Sequence, residues 1–215
     1  SRFMENAYGD IDMCIHAGDI SSRGEEREVL QFMEWYSKLP FKHKILIAGN
    51  HDFYFERATP DMIERLLSRY PSITYLNDSG VEIDGVKIWG SPVQPWFYNW
   101  AFNLPRMGDE IKSKWEMIPD DTDILITHGP AWGFLDDVEG RRGTHLGCEL
   151  LTERIKQIKP KIHVCGHIHT GYGHYFDGHT HFFNAAVLNE QYLYGHTPWH
   201  IEWDPITNEI EFVLG

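Results

Sequence analysis

Four short apolar runs in this chain each stop at a turn and give way at once to side chains that can bind a metal. "IDMCIHAGD" ends on Gly18-Asp19, "HKILIAGNHD" on Gly49-Asn50-His51-Asp52, "TDILITHG" on His128-Gly129, and "KIHVCGHIH" on Gly166-His167-Ile168-His169. Short apolar runs punctuated by glycine read as buried strands. Between them lie helical periods. "GEEREVLQFMEWYSKL" spaces Val29, Phe32, Met33, Tyr36 and Leu39 on one face, and "TPDMIERLLSRY" opens with Thr59 as N-cap and Pro60 at the first helical position. "DEIKSKWEMI" and "THLGCELLTERIKQI" are further expected helices, the second capped by Thr144.

"SITYLND" and "VEIDGVKIWGS" read as strands, the second folded back at the Asp84-Gly85 hairpin signal. The tail carries only short strands: "GHYFD", "THFFNAA", "WHIEWD" and "EIEFVLG". An α/β half followed by a mostly β half fits mixed sheets packed together with helices outside them. Open α/β sheets gather functional groups at the carboxyl ends of their strands, so the four run-ends predict one shared crevice.

That crevice would hold Asp19, Asn50, His51, Asp52, His128, His167 and His169. Carboxylate, amide oxygen and imidazole without thiolate suit a catalytic manganese, iron or zinc ion and argue against a closed structural zinc site. His163 sits inside an apolar strand and reads as structural. His16, His43, His145, His174, His179, His181, His196 and His200 lack a motif and read as non-ligands. Arg141-Arg142 reads as a solvated loop pair, with contact to a substrate phosphate as the alternative. Trp96, Phe97 and Trp100 read as cover for the core, with a stacking face for a nucleobase as the alternative.

Composition narrows the partners. The 215 residues fit a single domain spanning 1–215, and the formal net charge of −13 repels a phosphate backbone, so no polymeric nucleic acid partner is expected. No apolar run approaches the ~20 residues of a membrane span, and the first residues lack the regions of a signal peptide. No membrane partner is therefore expected. Cys14, Cys148 and Cys165 are odd in number and widely spaced, which points to a reducing, cytoplasmic setting.

Gly18-Asp19, Gly49-Asn50-His51-Asp52, Thr127-His128-Gly129 and Gly166-His167-Ile168-His169, in that order, resemble the calcineurin-like metallophosphoesterase superfamily. The text around them is similar to the subgroup of metallophosphoesterase-domain proteins that includes small phosphodiesterases acting on cyclic nucleotides. The resemblance implies an α-β-β-α sandwich: two mixed β-sheets face to face, with flanking helices. It implies two divalent ions. Asp19 bridges them, Asn50, His128 and His167 bind the second, and His169 binds the first. Asn50 and His51 contact the phosphate, a water of lowered pKa attacks phosphorus, and His51 protonates the leaving oxygen with Asp52 orienting its ring. The expected reaction is hydrolysis of a small phosphodiester, with a phosphomonoesterase or a nucleotide-binding regulatory protein as alternatives.

The family pattern also has an Asp-x-His motif at the end of an earlier strand, supplying two ligands to the first ion. No Asp-x-His precedes Asp19. Either such a strand lies upstream of Ser1, or the protein is a shortened, single-metal or inactive member. In both cases these residues alone should hold one ion better than two, and the sheet beside the "IDMCIHA" strand is expected to show either a gap or further residues filling it.

Overall fold

The computed structural model describes residues 11–138 and 144–213. Its strands sort by the side on which each residue points. Alternate residues of a strand face opposite ways, and strand β2 (His43–Leu46) with the two residues after it sends Ile45 and Ile47 into one apolar cluster and Leu46 and Ala48 into another. β8 (Ile124–Thr127) does the same with Ile124 and Ile126 against Leu125, and β11 (His181–Asn184) with Phe183 against Phe182. Two sheets buried on both faces follow from this pattern.

The larger sheet is mixed and runs β10-β11-β9-β8-β5-β4, where β4 is Ser79–Ile83, β5 Val86–Ser91, β9 Ile162–Cys165 and β10 Gly173–Phe176. The smaller has three parallel strands in the order β1-β2-β3, with β1 Met13–His16 and β3 Ile73–Tyr75. Two very short strands, β6 (Gln94–Pro95) and β7 (Asn103–Leu104), pair with each other and clasp the aromatic loop between them. Ile45, Ile47, Ile88, Ile126, Val164 and Phe183 fill the space between the sheets. Outside the small sheet pack helices α1 (Glu26–Ser37), α2 (Phe53–Arg57) and α3 (Pro60–Arg69), through Val29, Met33, Tyr36, Phe55 and Leu66. Outside the large sheet pack α4 (Asp109–Glu116) and α5 (Glu149–Ile158), through Ile111, Trp115, Leu151 and Ile155. This is the α-β-β-α order expected.

Local signals hold where they are chemical. Thr59 accepts from the Met62 N–H at the start of α3, and Asp84 and Gly85 both take positive φ (51° and 84°) in the β4–β5 hairpin, as a type I′ turn requires. Thr144 is not an N-cap. α5 starts five residues after it because Gly147 and Cys148 are held by Asp136 Oδ2 and the Pro130 carbonyl, and Gly147 packs on the Ala131 backbone. Arg141 and Arg142 lie outside the described residues.

Strand β1, read as fully buried, is half-buried along its length and pairs only with β2. Among the described residues its other edge has no strand neighbour, while β12 (His200–Trp203) and β13 (Ile210–Val213) form a separate ribbon. Trp199, Ile201, Trp203 and Ile210 share one apolar cluster with Met13 and Ile15.

Candidate metal centre

Two of the four strand-end loops are bent in a way that ordinary residues resist. Gly18 has φ of 95°, Asp19 60° and His167 64°. Left-handed backbone at a non-glycine residue stores strain and persists only where its surroundings fix it. Gly49 shows how close the loops come. A Cβ built there would lie 2.3 Å from Asp19 Oδ1 and 2.6 Å from His128 Cε1.

Into this space converge Asp19, Asn50, His128 and His167. Ligand atoms of Asp19, His128 and His167 all lie within 4.8 Å of one another. Asn50 Oδ1 sits 2.9 Å from His128 Nε2 and 2.8 Å from His167 Nδ1. His128 Nδ1 contacts the Ala17 carbonyl at 2.8 Å, so that nitrogen carries the hydrogen and Nε2 is the lone-pair nitrogen of the neutral ring. That lone pair faces Asn50 Oδ1 and, at 3.4 Å, Asp19 Oδ2. Three acceptors pointing at one another require a positive charge among them, either a proton on His128 or a cation.

The electrostatics follow. Burial alone would raise Asp19 and lower His128, but their mutual attraction outweighs it, holding the Asp19 carboxyl well below the usual range and raising His128. Burial, reinforced by the neighbouring His128 charge, pushes His167 down to about 3. His167 is therefore neutral with a free lone pair, and a metal site needs an ionised carboxylate and neutral imidazole. A ring nitrogen tied to a backbone carbonyl is also how metal-binding histidines are oriented. The donor set fits a divalent ion.

His169 and His51 lie at the margin. His169 is not among the atoms gathered around Asp19; its Nδ1 contacts the Asn189 carbonyl at 2.8 Å, which leaves Nε2 for a ligand. His51 Nδ1 contacts the Ser22 carbonyl at 2.8 Å, and its backbone N–H donates to Asp19 Oδ1. The orientation assigned to Asp52 needs correcting. The His51 ring is set by Ser22, not by Asp52, whose two oxygens are taken up by other donors. Asp52 Oδ2 accepts from the N–H groups of Asp19, Ile20 and Gly49, and Oδ1 from the N–H and hydroxyl of Ser21. Burial and the nearby Asp19 charge push Asp52 up to about 6, against the pull of those donors. It fastens the first motif loop to the second.

Other residues that hold the loops carry no motif in the sequence. Asn184, fully buried at the end of β11, donates from Nδ2 to the carbonyls of Ile168 and Leu135, pinning the loop of His167 and His169. A signal for it exists: "THFFN" is a fifth apolar run ending in a polar side chain. A second grouping, Asp136, Asp137 and His145, has a structural use. Buried Asp136 accepts from Gly133 N, Gly147 N and His145 Nδ1, closing the loop between β8 and α5.

Fold and site geometry together are those of the two-sheet metallophosphoesterase fold. Residues 3–171 match the family model described as calcineurin-like phosphoesterase. Human metallophosphoesterase domain-containing protein 1 is 44% identical over 205 residues, covering 86% of this chain and 62% of that protein. A UPF0046 protein of Caenorhabditis elegans is 38% identical, covering 83% of this chain and 51% of its own length. The chain therefore spans less than two thirds of these relatives. In fold it is similar to a solved structure at TM-score 0.61 and 18% identity, covering 87% of this chain and 71% of that one. A putative 5′-nucleotidase from Staphylococcus aureus, solved with alpha-ketoglutarate, gives TM-score 0.52 at 14% identity, covering 95% of this chain and 44% of that one. The chain belongs to the calcineurin-like phosphoesterase family.

Proposed function

We propose that this protein hydrolyses small phosphodiesters, cyclic nucleotides among them, with a divalent cation on Asp19, Asn50, His128 and His167 and with His51 as general acid. The observation that carries this is the convergence of the His128, Asn50 and Asp19 acceptors on one point that needs positive charge. A manganese, iron or zinc ion there would supply Lewis acidity toward a phosphoryl oxygen and lower the pKa of a water it binds. His169, with Asp19, would hold a further such ion.

The chain supplies the rest. Asn50 and His51 contact the phosphate. With Nδ1–H of His51 donating to the Ser22 carbonyl, the ring acts as general acid from its doubly protonated form, giving the Nε2 proton to the leaving oxygen and ending as the neutral Nδ1–H tautomer. Asp52 acts by position, keeping Asp19 and Gly49 in register. A formal net charge of −13 favours a small substrate over polymeric nucleic acid. Among the described residues no helix is long and apolar enough to cross a membrane. Three free cysteines, whose thiols burial raises above the ordinary pKa, support a reducing, cytoplasmic setting.

The test compares a bis-aryl with a mono-aryl phosphate in manganese. Faster diester turnover supports the reading; faster monoester turnover makes the protein a monoesterase, and nucleotide binding without turnover of either makes it a binding protein. His51→Ala should lower turnover by ~10² to 10⁴ with metal content unchanged. Loss of the metal in that variant would remove His51 from its role.

A further inference from the structure

Three aromatic rings stand against three of the site histidines. Trp100 lies 4.3 Å from His51, Phe97 6.4 Å from His167 in an edge-on arrangement, and Tyr192 5.4 Å from His169, also edge-on. The expectation that Trp96, Phe97 and Trp100 cover the core does not hold for Trp96 and Phe97, which are 60% and 45% exposed, and Tyr192 is 66% exposed. Large apolar rings left open beside a polar centre mark a binding surface when their backbone is fixed in place.

It is fixed on both sides. Asn103 Nδ2 donates to the Phe97 and Tyr98 carbonyls, Ala101 N donates to the Asn50 carbonyl, and Tyr98 is held at φ of 49°. Opposite in sequence, Asn189 Oδ1 accepts from Gln191 and Leu193 N–H, and Tyr192 N donates to the Asn189 carbonyl with Tyr192 at φ of 57°. That same carbonyl takes His169 Nδ1. The turn that presents Tyr192 is therefore the one that orients His169. Positive φ at two tyrosines is strain that solvent-exposed rings do not by themselves repay.

We propose that Phe97, Trp100 and Tyr192 form an aromatic subsite bordering the metal centre, which takes the planar heterocycle of a nucleotide whose phosphate lies on the metal-binding residues. The proposal rests on the reading of that centre as a phosphate site, and it assigns specificity for the ester's aromatic part to named residues. Rings of this kind hold a base by its face, with little preference among bases, so the subsite selects aromatic esters over alkyl or sugar phosphates without choosing one nucleobase.

The test is equilibrium dialysis of the manganese-loaded full chain against adenosine 5′-monophosphate, ribose 5-phosphate and inorganic phosphate. The nucleotide should bind about tenfold or more tighter than ribose 5-phosphate. Phe97→Ala and Tyr192→Ala should each weaken the nucleotide by about tenfold and leave ribose 5-phosphate and phosphate within about twofold. Tyr192→Phe should keep wild-type affinity, and unchanged thermal midpoints show that the variants fold. Equal wild-type affinity for nucleotide and ribose 5-phosphate, or equal weakening of all three probes, overturns the subsite while leaving the phosphate site standing. No binding of any probe overturns both.

Discussion

His163 shows how a buried histidine can serve the site without touching it. The Thr127 hydroxyl donates to the Gly129 carbonyl, so it must accept from His163 Nε2 at 2.8 Å; Nδ1 is then a lone pair with no partner. Burial pushes this imidazole down to about 3, against an ordinary value near 6.5. The sign is fixed by that depression. Between pH 6.5 and 3 the unfolded chain binds a proton that the native ring refuses, so stability is full above pH 6.5 and falls as pH drops. Denaturant unfolding at pH 6 and 5 should show a slope shallower in His163→Leu than in wild type, by up to about 1.4 kcal/mol per pH unit. Equal slopes would mean the native ring is not held neutral. Asp52 gives a second expectation at this scale. Asp52→Asn keeps the volume but replaces an oxygen that accepts from three N–H groups or one that accepts from Ser21. Manganese affinity should drop about 10- to 100-fold, as for other partners behind metal ligands, with the fold retained; unchanged affinity would deny Asp52 its positioning role.

At the scale of elements, glycines separate turn chemistry from site chemistry. Gly85 in the β4–β5 hairpin has φ of 84°, and a methyl added there would meet nothing within 4 Å, so Gly85→Ala brings only backbone strain. The cost should be about 1 kcal/mol, or a thermal midpoint lower by roughly 2–4 °C, with metal binding intact. Gly49→Ala would instead drive a methyl into Asp19 and His128. That variant should lose manganese binding outright in dialysis, and a Gly49→Ala protein with wild-type metal content would contradict the packing described. Helix α1 and its preceding loop belong to the same assembly. The Glu28 carboxylate accepts from the N–H groups of Ser22, Arg23 and Glu25, setting the segment whose Ser22 carbonyl holds His51.

Across the whole molecule, the two sheets place the carboxyl ends of β2, β8, β9 and β11 on one rim, since β8, β9 and β11 run parallel in one sheet and β1 and β2 in the other. By itself the sequence determined the strand and helix alternation, the Asp84-Gly85 turn, the Thr59 cap and the four motif loops, because these depend on residue type at short spacing. The convergence of Asp19, Asn50, His128 and His167 was legible for that reason. What only the tertiary structure decided depends on partners far apart in the chain. Asp52 turned from the His51 ring to Asp19, Ile20 and Ser21, about thirty positions earlier. Asn184 found the carbonyls of Leu135 and Ile168 across two other loops, and Thr144 lost its helix to the Asp136 clasp. Phe97 and Tyr192, 95 positions apart, came to flank one cluster of histidines. A buried polar group takes whichever partner the fold brings within hydrogen-bond reach, and an aromatic ring is core or surface according to what packs above it, so neither can be read from neighbours in sequence.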